Sequence, residues 1–324
     1  MSIELTQRCG VCRCYMDSED LFCSNCGTEN PHGGDGAPRL EHAPSHYSFD
    51  CKSCGASMSY DASARALRCP FCGGRDMERK EDSRSVSPIA VLPLTVSRET
   101  AEAALREWLG KGFWRPADAA RASTIGEMSA VYVPYWLFQA KTSTQWTADS
   151  SPAPAGSRGD WYPVSGQIRS DYPNLLIGGS SVLTPAETSA LLPFEMSKSI
   201  KPSEMDLENS IVEDFKVPRK LARPLARGTI ESLEMDASRR RVPNRSRNVK
   251  VNVRIESMIG RPILVPVWIL AYQYQAKVHR VLINGQTGKI TGSAPFSYKK
   301  LSAVILIIIV VLLLISALVF LFNS

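Results

Sequence analysis

The chain has 324 residues, of which 44% are hydrophobic and 22% are charged, and its formal net charge is +6 at pH 7. This composition can bury a sizeable core, so it excludes a globally disordered chain, a collagen-like or low-complexity repeat and a small disulfide-dense protein. At about 150 residues per domain, the length corresponds to about two folded units. All nine cysteines lie before residue 73, and the longest apolar run lies at the other end of the chain.

The first four candidate ligands are spaced as two Cys-x2-Cys pairs and are Cys9, Cys12, Cys23 and Cys26. Two such pairs on facing hairpins direct four thiolates at one point, which is the tetrahedral site of structural Zn2+. Residues 1–30 are therefore predicted to form a first zinc ribbon. Cys14 offers a fifth thiol, and the spacing favours the pair Cys9 and Cys12 over Cys12 and Cys14. Residues 31–47 are rich in Pro, Gly and His and are predicted to be a linker.

The second set of cysteines repeats this spacing and consists of Cys51, Cys54, Cys69 and Cys72. Glycine follows both pairs, at Gly55 and Gly73, where a positive φ lets backbone amides turn toward sulfur. Residues 48–80 are predicted to form a second zinc ribbon. Four protein ligands leave no position for water or substrate, so the chain is expected to hold two structural Zn2+ ions. A rubredoxin-like iron site and a redox-active cysteine pair use the same residues and are the alternatives.

The middle of the chain, residues 88–296, has the apolar content of an α+β globular domain. Ser97 is a suitable N-cap for a helix that runs to Leu109 and ends at the following glycine. Residues 131–149 are rich in β-branched and aromatic side chains and predict one long strand or a pair of strands.

Two segments of this domain share the pattern V-P-x-W-aliphatic, beginning at Val133 and Val265, and each leads to Gln-Ala-Lys. An internal duplication explains the repeat, and chance similarity between two apolar strands is the alternative. Trp136 and Trp268 within these segments are predicted to be core residues.

A hairpin is predicted at the end of the domain, with a strand over 278–283, a positive φ at Asn284-Gly285, and a bulge at Gly288 before a return strand over 289–291. Its GQTGK segment lacks the spacing of a phosphate-binding loop. No other catalytic motif is present in the sequence. His279 is expected to have a structural role on a strand face. The carboxylates Glu231, Glu234 and Asp236 are expected on a helix surface.

Basic residues are concentrated in residues 216–254, which contain twelve Lys or Arg against three acidic residues. The densest cluster consists of Arg239, Arg240, Arg241, Arg245, Arg247 and Lys250. A solvated loop explains such a cluster, and so does contact with an anionic membrane surface, with nucleic acid or with an acidic protein.

Residues 301–322 contain no charged residue, no proline and no glycine. At about 1.5 Å per residue they form a helix roughly 33 Å long, enough to cross the hydrocarbon core of a bilayer. Lys299 and Lys300 precede this helix and only two polar residues follow it, so the positive-inside rule places residues 1–300 in the cytoplasm. The sequence thus predicts a single-pass, tail-anchored protein, whose cytoplasmic cysteines bind metal rather than form disulfides.

Four segments together resemble a known family of proteins. They are the CxxCG pairs, VYVPYWLFQAKT at 131–142, VPVWILAYQYQAK at 265–277 and VLINGQTGKITGSAPFS at 281–297. They look like bacterial single-pass membrane proteins with zinc ribbons, which are often labelled as TFIIB-type zinc-ribbon proteins or as primosomal replication-restart helicases. The helicase label does not fit, because a helicase motor needs a phosphate-binding loop and a two-lobed ATPase.

The fold class expected from these features is small zinc-ribbon β modules, an α+β globular domain and one C-terminal transmembrane helix. The expected function is non-enzymatic: a docking platform for protein partners in the bacterial cytoplasmic membrane. The resemblance implies partners in envelope-stress assemblies, such as SPFH-domain or phage-shock-type proteins. The alternative is a membrane-associated zinc-ribbon protein that binds nucleic acid.

Overall fold

The computed structural model is an α+β domain built on a mixed sheet, followed by one apolar C-terminal helix. The structure describes residues 6–11, 15–17, 28, 42–44, 48–60, 68–80, 84–112, 115–116, 124–125, 128–207, 209–274, 277–294 and 296–323.

The bounds of the strands and helices follow the chain order. The strands are β1 (Thr6–Arg8), β2 (Tyr15–Asp17), β3 (His42–Pro44), β4 (Ser48–Cys51), β5 (Ser57–Ser59), β6 (Met77–Lys80), β7 (Arg84–Val86), β8 (Ala90–Val91), β9 (Thr124–Ile125), β10 (Ser129–Ser151), β11 (Tyr162–Gly178), β12 (Ile211–Glu213), β13 (Arg245–Tyr274), β14 (Lys277–Asn284) and β15 (Ile290–Gly292). The helices are α1 (Arg98–Gly110), α2 (Pro185–Ala190), α3 (Arg219–Arg241) and α4 (Tyr298–Asn323). Single 3-10 turns lie at Met196–Lys198 and Pro202–Glu204.

The sheet is organised around two long antiparallel strands, β10 and β13, which pair over most of their length. The outer side of β10 pairs first with β12 in parallel and then with β11 in antiparallel. The outer side of β13 pairs in the same way with β8 in parallel and then with β14, which carries β15 on its edge. The segment 131–149, expected as one strand or two, is therefore one continuous strand.

The two long strands bury both faces over their central part because helices and the cysteine hairpins cover opposite sides. Tyr135 and Leu137 face the cysteine-rich side, while Trp136 and Phe138 face α3. Beyond Gln139 the burial of β10 alternates between buried and exposed residues, as expected where only one face is covered. The core is thus divided by the sheet into two layers.

The cysteine hairpins belong to this sheet. β5 pairs with β12, and β4 pairs with both β5 and β6. Cys51 and Cys69 lie in the same hydrophobic cluster as Val133 and Val265 of the two central strands. The sequence predicts a ribbon over 48–80 and a separate domain over 88–296; in the structure, one sheet and one hydrophobic core include residues of both.

The two halves of the domain repeat the same connections. β8 leads to α1 and β10, and β12 leads to α3 and β13. Each short strand pairs in parallel with the long strand of the other half. The first residues of the two V-P-x-W motifs, Val133 and Val265, pair with each other, so an approximate two-fold axis passes between them. An origin by duplication stays a prediction, and this geometry supports it.

The repeated motif has a physical explanation in a network of three hydrogen bonds. The indole Nε1 of Trp136 donates to the carbonyl of Val217 (2.8 Å). The amide of Val217 donates to the carbonyl of Gly179 (3.2 Å), and the amide of Gly179 donates to the carbonyl of Pro134 (2.8 Å). Proline and tryptophan, two residues apart, thus bind the chain segment that precedes α3.

The second motif makes the same network around α1. Trp268 Nε1 donates to the carbonyl of Val96 (2.9 Å). The amide of Val96 donates to the carbonyl of Gly285 (2.8 Å), whose amide donates to the carbonyl of Pro266 (2.9 Å). Trp136 and Trp268 are 1% and 8% exposed, which confirms their predicted place in the core.

Both helices bury the same positions counted from their caps. Ser97 caps α1, as predicted, because its hydroxyl accepts from the amide of Thr100 (3.2 Å). Pro218 occupies the cap position of α3. The buried residues four, eight and twelve positions beyond the cap are Ala101, Leu105 and Leu109 in α1, and Ala222, Ala226 and Ile230 in α3. Small and aliphatic residues at this spacing form the stripe that packs on the sheet.

The C-terminal helix α4 is long and apolar enough to span a membrane. Its window Tyr298–Ser316 has a mean hydropathy of 2.6, and none of the window is buried within the described structure. Five residues separate its start from the end of β15. Tyr272 holds this connection by donating from its hydroxyl to the carbonyl of Ser293 (3.0 Å), and Ser297 accepts from the amide of Lys300 (3.3 Å).

Candidate metal centre

Two tight turns of identical geometry present the second set of cysteines. In the first turn, the amide of Gly55 donates to the carbonyl of Cys51 (2.8 Å); in the second, the amide of Gly73 donates to the carbonyl of Cys69 (2.8 Å). Gly55 and Gly73 have φ of 76° and 74°, so both use the left-handed conformation predicted for them. A side chain is disfavoured in this conformation, which explains the glycine after each pair.

The four sulfur atoms of Cys51, Cys54, Cys69 and Cys72 all lie within 4.8 Å of one another. The Sγ atoms of Cys51 and Cys72 are 3.6 Å apart, as are those of Cys54 and Cys69. A tetrahedral zinc site with Zn–S bonds of about 2.3 Å has sulfur atoms about 3.8 Å apart. The arrangement therefore fits one four-coordinate metal ion such as zinc.

Burial and mutual contact shift the pKa values of Cys54, Cys69 and Cys72. A hydrogen bond from Cys69 lowers the pKa of Cys54 to about 5, whereas burial raises the pKa of Cys72 to about 11. The pKa of Cys69 is raised above its ordinary value, chiefly because its thiol donates to the Cys54 sulfur. A divalent metal would supply the positive charge that lets all four sulfurs ionise.

The first set of cysteines falls almost entirely outside the described residues. Cys12, Cys14, Cys23 and Cys26 belong to this group, so the ligand set predicted for residues 1–30 stays a prediction. Cys9 is described and is 2% exposed. It packs with Trp136 and Phe138 on the α3 side of the sheet, away from the other metal centre.

A pair of buried carboxylates next to the cysteine hairpins was not predicted. Glu213 is the last residue of β12, Asp214 follows it, and the two are 1% and 7% exposed. Ser180 donates to Glu213 Oε1 (2.5 Å), and Ser48 donates to Asp214 Oδ2 (2.9 Å). The signal in the sequence is weak, because the segment IVEDF has the length of a short strand but places two acids beside its apolar residues.

We expect Glu213 to make stability depend on pH. Burial raises the pKa of Glu213 to about 8. The folded state keeps a proton on Glu213 that the unfolded state releases near pH 4.5. The contribution of the protonated Glu213 to the free energy of unfolding is therefore complete below pH 4.5 and is lost as the pH rises through 8. Replacement by Gln keeps an acceptor for Ser180 but cannot ionise. Denaturant unfolding in constant excess zinc should give Glu213→Gln a stability close to that of the wild type at pH 5, and greater by about 2–4 kcal/mol at pH 9. An equal difference at both pH values contradicts this role.

The NGQTGK turn is a structural clamp. Asn284 donates from its side-chain amide to the carbonyls of Leu191 (2.8 Å) and Pro193 (2.9 Å). Lys289 donates from Nζ to the carbonyl of Leu192 (2.5 Å). Positive φ occurs at the bulge position Gly288 and not at Asn284-Gly285, because the Asn284 side chain caps the turn by accepting from the amides of Gln286 and Thr287.

Two further residues of the middle domain contrast with each other. Glu234 was expected on the surface of a helix, but it is fully buried and accepts from Thr142 (2.6 Å) and Tyr172 (2.9 Å). It follows Ile230 by one helical turn and so lies on the packed stripe of α3. His279 lies on a strand face as predicted and stacks on Tyr272, with ring centroids 5.3 Å apart.

The basic cluster lies at the end of the sheet that is remote from α4. Arg239, Arg240 and Arg241 form the exposed last turn of α3, and Arg245, Arg247 and Lys250 are exposed at the start of β13. Arg247 pairs with Asp149 (3.3 Å) and stacks on Trp161, 4.2 Å from the ring centroid.

The length of β13 sets the separation between the basic cluster and α4. Ala271 pairs with Arg280 near the connection to α4 and lies 24 residues beyond Arg247 on the same strand, about 80 Å along it. Contact of the basic cluster with a membrane stays a prediction.

Comparison with known proteins gives one distant relative. The chain is similar to YdjG of Bacillus subtilis (strain 168), an uncharacterized protein, with 27% identity over 315 residues that cover 79% of this chain and 92% of the relative. No protein-family model matches the chain. No solved structure matches it. The name of the relative assigns no activity, so function has to be argued from the four-cysteine cluster and the apolar helix.

Proposed function

We propose that this protein is a non-enzymatic docking protein of the bacterial cytoplasmic membrane, in which a structural zinc ion stabilises a cytoplasmic α+β domain held at the bilayer by α4. The observation that carries the proposal is the position of the cysteine cluster. Its four sulfurs surround one point, and two of the four cysteines are 1% exposed within the core shared with β10 and β13.

Zinc is the metal that best suits this cluster. Four thiolates at tetrahedral spacing are typical of structural zinc sites, whereas catalytic zinc sites keep a position open for water or substrate. The cluster supplies four ligands and replaces apolar packing at the point where the cysteine hairpins join the sheet. Its role is to stabilise the domain, and a second zinc in residues 1–30 is part of the proposal.

The connection between the sheet and α4 supports a domain held close to the membrane. Phe296 and Tyr298 contact each other edge to face, with centroids 5.5 Å apart, and both are exposed at the start of α4. Aromatic residues followed by Lys299 and Lys300 are typical of the membrane interface on the cytoplasmic side. The five-residue connection between β15 and α4 supports a position of the sheet close to the lipid headgroups.

The polar residues of the GQTGK segment and His279 make structural contacts. The lysine of the GQTGK segment donates to the main chain, and His279 stacks on an aromatic ring. A docking role requires only that the anchor raise the local concentration of the domain at the membrane. At this higher concentration, weak contacts are sufficient for a partner protein to stay bound. SPFH-domain or phage-shock-type partners are implied by the resemblance and stay a prediction.

An anchor exchange tests the docking role. Full-length protein, protein ending at residue 297, and a chimera whose residues 298–324 are replaced by an unrelated single-pass helix are compared by crosslinking in intact cells. We expect the same crosslinked proteins with the native and the exchanged anchor, and at least about tenfold less with the truncated form. Equal crosslinking of the truncated form contradicts the role of tethering. Binding of all three forms to nucleic acid, with a steep salt dependence, favours the alternative function.

A further inference from the structure

The two halves of the domain differ at one edge of the sheet. In the second half, β14 carries β15 on its outer edge, with Ile283 paired to Ile290. In the first half, β11 takes the place of β14: Trp136 pairs with Ile177 just as Trp268 pairs with Ile283. Among the residues that the structure describes, no strand lies on the outer edge of β11.

A cleft of about 560 Å³ lies at this position. Leu176, Ile177 and Gly178 of β11 line it from the strand edge, α2 lines one side, and Leu225 and Thr229 of α3 line the other. In the second half, β15 lies in the same way between α2 and α1. The cleft therefore has the place, the neighbours and the orientation of a missing edge strand.

The helix residues above the two edges explain why one is closed and the other open. Trp108 lies eleven residues beyond the cap of α1 and packs into the same cluster as Ile290. The residue at the same position in α3 is the small Thr229, and its neighbour Leu225 is 47% exposed. A bulky side chain closes the second edge together with β15, and its absence leaves an apolar surface at the first.

The edge of β11 is usable over a short length only. Pro173 has no amide hydrogen, and a register shift separates Phe138 from Ala140 on the paired strand beside it. The remaining edge runs from Leu175 to Gly178. In the second half, the amide of Asn284 donates to the carbonyl of Lys289, and the carbonyl of Arg280 accepts from the amide of Ser293. Alternate residues of an antiparallel strand bond to the same neighbour, so the backbone groups of Leu282, between these two residues, also point toward β15. Leu176 corresponds to Leu282 and presents its backbone to the cleft.

We propose that the β11 edge from Leu175 to Gly178 binds an extended segment of a partner protein, which adds as an antiparallel strand with an aliphatic side chain opposite Ile177. The fourteen described residues that line the cleft are all uncharged, so the inserted segment is uncharged and apolar at its centre. Strand addition supplies main-chain hydrogen bonds, and the cleft supplies selectivity for the side chain. The inference rests on the proposed docking role and names its binding site.

Selection of peptides on the purified full-length protein in nanodiscs tests this site. The probe is a library of random nonapeptides, and the selected peptides are measured by fluorescence anisotropy. We expect an aliphatic residue flanked by uncharged residues. We also expect N-methylation of alternate peptide amides to weaken binding at least about tenfold in one register and little in the other, because only every second amide of an edge strand points at its neighbour.

Two substitutions and a matched control locate the binding. Leu225→Arg places a charge in the cleft and Thr229→Trp restores the bulky residue of the other half, so each should weaken binding at least about tenfold. Leu233→Arg changes an exposed leucine of the same helix outside the cleft and should leave binding within about twofold. Circular dichroism checks that each variant is folded.

Three results overturn the inference. They are equal binding by the cleft and control variants, insensitivity to N-methylation, and a self-association of the protein that Leu225→Arg abolishes, which identifies a second copy as the occupant. If crosslinking in cells is the same with and without the anchor while peptide binding is intact, the docking role is refuted and the strand site remains.

Discussion

Loss of one cysteine ligand is expected to unfold the sheet together with the cysteine hairpins. Cys69→Ser, or chelation, would remove the proposed zinc ion from the four sulfurs, which lie within 4.8 Å of one another. A structural zinc site contributes about 10 kcal/mol or more of binding energy, which is comparable with the whole stability of a domain, about 5–15 kcal/mol. Because Cys51 and Cys69 lie in one core with Val133 and Val265, unfolding should be a single transition.

The fluorescence of the buried tryptophans and the far-ultraviolet circular dichroism measure this transition in different parts of the chain. Both signals should shift together to much lower denaturant concentration in Cys69→Ser. Ser53→Ala is the matched control, because Ser53 lies exposed in the first turn and is not a ligand. An unchanged tryptophan transition beside a separate, early loss of the hairpins contradicts a shared core.

Removal of α4 is expected to move the protein from the membrane fraction to the soluble fraction. A chain that ends at residue 297 lacks the window of mean hydropathy 2.6 and keeps every strand of the sheet. Burial of the uncharged segment 301–322 in lipid would make insertion effectively irreversible, so the change should be all or none. Fractionation after alkaline carbonate extraction measures it: full-length protein should stay in the pellet and the truncated protein should appear in the supernatant.

Substitution within α4 separates its apolar character from its length. Ile309→Lys places a charge at the centre of the helix and should reduce insertion, since a lysine there costs about 2.5–3.5 kcal/mol. Lys299→Asn with Lys300→Asn leaves the apolar span unchanged and should leave the protein in the pellet. Retention of the truncated protein in the pellet shows that some other surface holds the domain at the membrane.

Local signals in the sequence are sufficient for several features of the fold. The four cysteines come together as predicted because each Cys-x2-Cys-Gly turn is specified by its own residues. Ser97 caps α1, and β10 is a long strand, for the same reason. The apolar helix is equally local, since its length and composition alone identify it.

Features that depend on distant parts of the chain could not be predicted. Glu213 is buried because β12 inserts between β10 and β5, a position that no short window specifies. The V-P-x-W motif is visible in the sequence as a repeat. Its role depends on a hydrogen bond from Trp136 to the carbonyl of Val217, which precedes α3 and lies 81 residues away in the chain. The attachment of the cysteine hairpins to the sheet depends on the same β12 strand.

Metal content is the most direct test of the account. Purified full-length protein is analysed by inductively coupled plasma mass spectrometry beside Cys54→Ser and the Ser53→Ala control. We predict that wild type and control contain zinc and that Cys54→Ser contains one equivalent less per chain. Protein that purifies folded with no bound metal, or a Cys54→Ser variant that retains the full amount, contradicts the proposal that this cluster holds a structural zinc ion.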